Sequence, residues 1–168
     1  MQVKKILVPI DYSEPSHLAL QWGASLAQHY GAQLLLLHVV PKAVEEVPPP
    51  SSGSIVAPSY VERVATQGSP SPSEGLVIDH VAQAETALAD LARTQLTAPV
   101  PTTVRVAVGR PAEEILRVAE EEGVDLIVMG THGRTGLRQV LLGTVTETVG
   151  RTAPCAVLMV KMPAPVAS

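Results

Sequence analysis

The chain of 168 residues is 46% hydrophobic and 17% charged, which supplies one packed domain and leaves little room for a second. A net charge of −4, without a basic stripe or interleaved aromatics, argues against a nucleic-acid partner, and no apolar run reaches the ~20 residues of a membrane helix. The single cysteine, Cys155, excludes an internal disulfide and a cysteine-based zinc site, and its apolar neighbours mark it as a small buried hydrophobe.

Aromatic residues make up 2% of the chain and Phe is missing, so the core has to be built from Val, Leu, Ile and Ala. That is the composition of a sheet covered by helices on both faces. The apolar run after Lys4-Lys5 stops at Asp11, too soon for a signal sequence, and predicts a cytoplasmic protein.

Ile6-Leu7-Val8-Pro9-Ile10 predicts a buried strand closed by Asp11. Ser13-Glu14-Pro15 opens a helix, with Ser13 as N-cap and Pro15 in the first turn; Leu18, Trp22 and Leu26 recur on one face, and Gly31 ends it. The periodicity predicts that Trp22 faces the core. Leu34 to Val40 is a second buried strand, stopped by Pro41.

Seven Pro, seven Ser and three Gly crowd residues 41–77, which predicts a long mobile insertion, either featureless or acting as a lid or docking segment. An Ala-rich helix runs from about Ile78 to Leu96, and Thr103 to Val108 forms a third strand. Gly109-Arg110-Pro111 turns into a helix bearing Ile115, Leu116 and Ala119, with Glu120-Glu121-Glu122 as a solvated face at its end. Asp125 to Met129 is a fourth strand, and Asp125 at its start reads as structural. A helix near Val145 to Arg151 and a strand from Ala156 to Lys161 follow, then a frayed tail at 163–168.

Strands alternating with helices predict an α/β fold: an open, twisted, five-stranded parallel sheet, Rossmann-like, forming a single domain over residues 1–162. Ligands of such sheets sit outside the carboxyl ends of the strands, where strand order reverses. Asp11, Val39-Val40 and Met129-Gly130 fall there.

The chemistry gathers in the stretch from Gly130 to Thr144. Gly130 and Gly133 follow a strand, and Gly143-Thr144 precede a helix. Glycines let backbone N–H groups surround an anion, and the helix start adds free N–H groups and about half a positive charge. His132 and Arg134 supply further positive charge, so the stretch reads as a phosphate cradle, with turn-making as the plain alternative. Neither G-x-x-x-x-G-K-[ST] nor a G-x-G-x-x-G after the first strand is present. His38 at its strand end reads as a satisfied structural residue; Asp11 is open between ribose or Mg²⁺-water positioning and a capping role.

Glycine, two residues, glycine, nine residues, glycine and then Ser or Thr, here Gly130, Gly133, Gly143 and Thr144, resembles the ATP-binding motif of the universal stress protein family. Pro9-Ile10-Asp11, His38-Val39, Gly109 to Ile115 and Asp125 to Gly130 look like that family's other recurrent phrases, so the resemblance covers nearly everything outside 41–77 and the tail. It implies strand order 3-2-1-4-5 and ATP, with Mg²⁺ accompanying the phosphates. Adenosine would sit near Pro9, Ile10, Asp11 and Val39, with Met129 lining base or ribose. Phosphates would sit near Gly130, Gly133, Gly143, Thr144 and Val145, with His132 and Arg134 in the motif loop. The family also implies a homodimer, here through the apolar last strand around Val157 to Val160, whose open edge needs a partner. Three roles follow as alternatives: a stress-response regulator whose protein partner is unknown, a slow ATPase or a kinase autophosphorylating on Thr144 or Thr146, and a nucleotide-independent module acting through 41–77.

Overall fold

A computed structural model describes residues 2–41, 72–96, 99–131 and 143–162. The element order is β1 (Lys5–Pro9), α1 (Glu14–Tyr30), β2 (Gln33–Val40), α2 (Pro72–Gln95), β3 (Thr102–Val108), α3 (Pro111–Glu121), β4 (Leu126–Gly130), α4 (Thr144–Thr152) and β5 (Ala156–Val160). All neighbouring strands pair in parallel, in the order β3-β2-β1-β4-β5, as expected. Strand order reverses between β1 and β4, and all five carboxyl ends share one edge.

Because side chains alternate across a strand, each strand feeds two cores. Ile6, Val8, Ile10, Leu34, Leu36 and Val128 pack under α1 and α2, against Ala19, Leu20, Ala27 and Leu88. Leu7, Leu35, Leu37, Ile127 and Met129 pack under α3 and α4, against Ile115, Val118, Ala119 and Val149. The continuous apolar runs that predicted buried strands are the consequence of this double covering.

Helix α1 begins and ends as its sequence dictates: the Ser13 side chain accepts from the Ser16 amide, and Gly31 closes the helix in a left-handed conformation at φ 64°. Its buried face corrects the expectation. Ser16, Ala19, Leu20, Gly23 and Ala27 face the sheet, Leu18 and Leu26 are only partly buried, and Trp22 is 51% exposed. Small residues win because the helix lies close on β1: a Cβ at Gly23 would stand 2.5 Å from Val8 Cγ2. A tryptophan does not fit that gap.

Helix α2 starts at Pro72, earlier than the Ala-rich stretch suggested, so the end of the expected 41–77 insertion is helical. Proline at a first helical position wastes no N–H and has its φ already set. The rest of that segment, with its expected helical turn at Tyr60 to Val64, and the 163–168 tail lie outside the described residues.

At the opposite, amino edge the acidic run is not simply solvated. Arg105 bridges Glu121 at 2.8 Å and Glu122 at 3.1 Å, and Lys5 reaches Glu122 at 2.9 Å. Asp125 accepts from the backbone amides of Lys4 (2.8 Å) and Lys5 (3.0 Å), which holds its carboxyl below the usual range and bears out its structural reading.

Candidate functional site at the carboxyl edge of the sheet

The first wall is the β1–α1 turn. Pro9 is half-buried, Ile10 is buried among the residues under α1 and α2, and the Ile10 amide donates to the Leu37 carbonyl at 2.8 Å. Asp11 Oδ1 accepts from the Ser13 amide at 3.0 Å and from the Ser13 hydroxyl. An aspartate bonding two residues on closes an Asx turn. Ser13 then caps α1, so Asp11 steadies the helix start through Ser13 and is not itself the cap. Tyr12, in the middle of the turn, has φ 62°, the left-handed region that a bulky side chain rarely enters.

The second wall is where β4 runs out and α4 begins. Met129 is buried under α3 and α4, and Gly130 lies against α1: a Cβ there would stand 2.7 Å from Pro15 Cβ and 2.9 Å from the Pro15 carbonyl carbon and oxygen. Only glycine lets β4 end this close to the first turn of α1. The Thr131 amide donates to the Val160 carbonyl at 3.1 Å, and the Gly143 amide donates to the Thr131 carbonyl at 2.9 Å. The chain on either side of residues 132–142 is therefore pinned together at the sheet edge.

Gly143 is the N-cap of α4 and offers no side-chain cap. The amides of Thr144 and Val145 belong to a first turn whose donors have no helical acceptor of their own, at the positive pole of the helix. Glu147, also in that turn, pairs along the helix with Arg151 at 2.8 Å. Thr144 is exposed, whereas Thr146 is 3% exposed and donates its hydroxyl to the Gly130 carbonyl at 2.9 Å. That commitment ties α4 to β4 and leaves Thr144 as the exposed hydroxyl of the two.

The third wall is the end of β2. The His38 ring nitrogen Nδ1 lies 2.7 Å from the Ile10 carbonyl, which can only accept, so Nδ1 carries the proton. The Tyr12 ring stands 4.9 Å from the His38 ring, tilted by 54°. The expected satisfied role of His38 is what the structure shows. Val39, next along, turns to the other face and packs with Met129 and Val145 under α3 and α4.

Pro9, Asp11, Val39, Met129, Gly130, Gly143, Thr144 and Val145 thus gather at one edge around the β1/β4 reversal. Ile10 stands at the same edge but turns its side chain to the α1/α2 core. His132, Gly133 and Arg134 lie outside the described residues. Sequence reasoning missed Tyr12 and Thr131, and considered Thr146 only as a phosphate acceptor, not as a tie to β4. The Asp-x-Ser spacing of the turn was the available signal for Tyr12; a buried threonine hydroxyl announces nothing in a sequence.

The sequence pattern of the universal stress protein family matches residues 2–161. Universal stress protein YxiE of Bacillus subtilis is 33% identical over 157 residues, covering 94% of this chain and 98% of its own. Universal stress protein MJ0577 of Methanocaldococcus jannaschii is 30% identical over 158 residues and 94% of each chain. The solved structure of MJ0577, at 29% identity, superposes with a TM-score of 0.73 over 98% of this chain and 100% of that one. A universal stress protein solved in complex with cAMP shares the fold, with a TM-score of 0.59 over 96% of this chain and 98% of its own, at 20% identity. The chain belongs to the universal stress protein family.

Proposed function

We propose that this protein is an ATP-binding regulator of the stress response, acting in the cytoplasm as a homodimer whose partner interactions depend on nucleotide. One observation carries the reading: the N-terminus of α4, without a side-chain cap, opens onto the sheet edge where β1 and β4 diverge. The described residues fit an adenine nucleotide there. Val39 and Met129 give an apolar floor with Pro9 half-buried beside it, Asp11 a carboxylate at its rim, Gly130 the close backbone end of β4, and Gly143, Thr144 and Val145 a row of backbone donors at the helix pole. His132, Gly133 and Arg134 would complete the cradle around the phosphates and an accompanying Mg²⁺. Bound ATP would bring a concentrated negative charge to the positive pole of a helix that starts without a side-chain cap. The cAMP complex on the same fold makes adenine nucleotides the class to test.

Titration calorimetry with Mg·ATP is the deciding experiment. Saturable binding below millimolar nucleotide, lost in Gly133→Val, is expected; no heat at millimolar ATP removes the reading. Titrating cAMP alongside tests the cradle itself, since donors built for three phosphates should favour ATP over a single cyclic one.

The dimer reading rests on β5, an edge strand whose Val157, Leu158 and Met159 are only partly buried within one copy. A second copy laid on Val157 to Val160 would cover that edge. Sedimentation at micromolar concentration should show a dimer; a monomer there overturns it.

A further inference from the structure

A left-handed tyrosine is an unfavourable conformation that persists only when its surroundings over-determine it. At residue 12 three restraints converge on the β1–α1 turn. Asp11 Oδ1 closes it from below through the Ser13 amide and hydroxyl. His38, on the neighbouring strand, donates from Nδ1 to the Ile10 carbonyl at 2.7 Å. The Tyr12 ring rests on the His38 ring, with centroids 4.9 Å apart. The Tyr12 hydroxyl is buried and has no hydrogen-bond partner among the described residues, where the side chain is held by its ring and not by its polar tip.

We propose that Tyr12 and His38 are positioning residues of the carboxyl-edge site: the His38–Ile10 bond and the ring contact hold residue 12 in its left-handed bend, and the bend sets where Asp11 stands. This rests on the reading of that edge as the nucleotide site. The brace works from behind, because Ile10 and Tyr12 pack with the core under α1 and α2, while Val39, Met129 and Val145 pack with the core on the opposite face. Tyr12 and His38 therefore act on the site through the backbone of residues 10–13.

The test uses the full chain in two stages. Without nucleotide, backbone amide resonances of residues 11–14 should shift in His38→Ala and return in His38→Asn, whose amide N–H can replace the Nδ1 donor. Unchanged resonances in His38→Ala, or no return in a folded His38→Asn, overturn the brace, whatever nucleotide does. With Mg·ATP, His38→Ala and Tyr12→Ala should each weaken binding about ten-fold, measured well below their thermal midpoints. Tyr12→Phe, which keeps the ring, should stay within two-fold of the parent, and His38→Asn, which keeps the donor and loses the ring, should bind more tightly than His38→Ala. Parent-like affinity in both alanine variants overturns the positioning role. Failure of the parent to bind ATP removes the nucleotide reading, and the first stage still decides the brace.

Discussion

The two edges of the sheet use the same residue type to opposite ends. At the amino edge Asp125 takes two backbone amides, and Lys5, Arg105 and Arg117 pair with Glu121 and Glu122 at the end of α3, so charge is matched within the chain. At the carboxyl edge Asp11 folds back on its own turn, Tyr12 sits in a strained conformation with a buried hydroxyl unpartnered among the described residues, and α4 starts without a side-chain cap. Among the described residues one edge is closed by charge pairs, and the other holds a buried hydroxyl and a helix start without a side-chain cap. Ligands of parallel sheets as a class sit outside the carboxyl ends of the strands.

The strongest way to break the comparison is to force the carboxyl edge apart. Gly130→Ala sets a Cβ 2.7–2.9 Å from backbone and ring atoms of Pro15, none of which can swing aside. Overpacking against a rigid partner should cost about 3 kcal/mol in urea unfolding and weaken ATP binding with it. Gly150→Ala, in α4 on the other face of the sheet, is the control. Its new Cβ meets only the terminal methyl of Met159, a flexible chain that can turn away, while alanine favours the helix by about 1 kcal/mol. Equal losses in the two variants would mean that the edge is more compliant than its contacts suggest.

How far the sequence foretold these edges depended on whether the signal was local. Caps, stops and continuous apolar runs are local, so all nine elements were legible, and Ser13 and Gly31 bound α1 as expected. Strand order came from the resemblance, because nothing in a strand's own residues names its neighbours. The face of α1 was misjudged at Trp22 because periodicity weighs large residues, whereas close approach to β1 selects Gly23 and Ala19. The site was legible as a set of strand ends. Its support was not: the His38–Ile10 bond spans two strands, and the bend at Tyr12 exists only once that bond and the Asx turn form together.

A smaller effect sharpens the amino edge. The Asp125 carboxyl is held below its ordinary range by the Lys4 and Lys5 amides, so its folded value lies under its unfolded one. The stability it contributes is present above pH of roughly 4 and is lost as pH falls through the folded value. Asp125→Ala should cost about 1 kcal/mol at neutral pH, the net value of such bonds. Asp125→Asn should flatten the acid limb of a urea-stability profile without removing it, because Glu122, lowered chiefly by its bond from Lys5, titrates in the same direction. Parallel acid limbs for Asp125→Asn and the parent would show that this carboxylate is no anchor.

The smallest effect has the opposite sign. Burial pushes the Tyr12 phenol up and, among the described residues, leaves its hydroxyl without a partner, so the oxygen carries a desolvation cost that none of their bonds offsets. Tyr12→Phe keeps the ring on His38 and removes only that oxygen. It should raise stability by up to about 1 kcal/mol, or roughly 3 °C in thermal midpoint for a chain of this size. Removing a polar atom would then stabilise one edge and destabilise the other, as expected if hydrogen bonds are complete at Asp125 and incomplete at Tyr12. A lower midpoint in Tyr12→Phe would mean that solvent reaches the hydroxyl and satisfies it, and the contrast between the edges would shrink to the backbone bend and the first turn of α4.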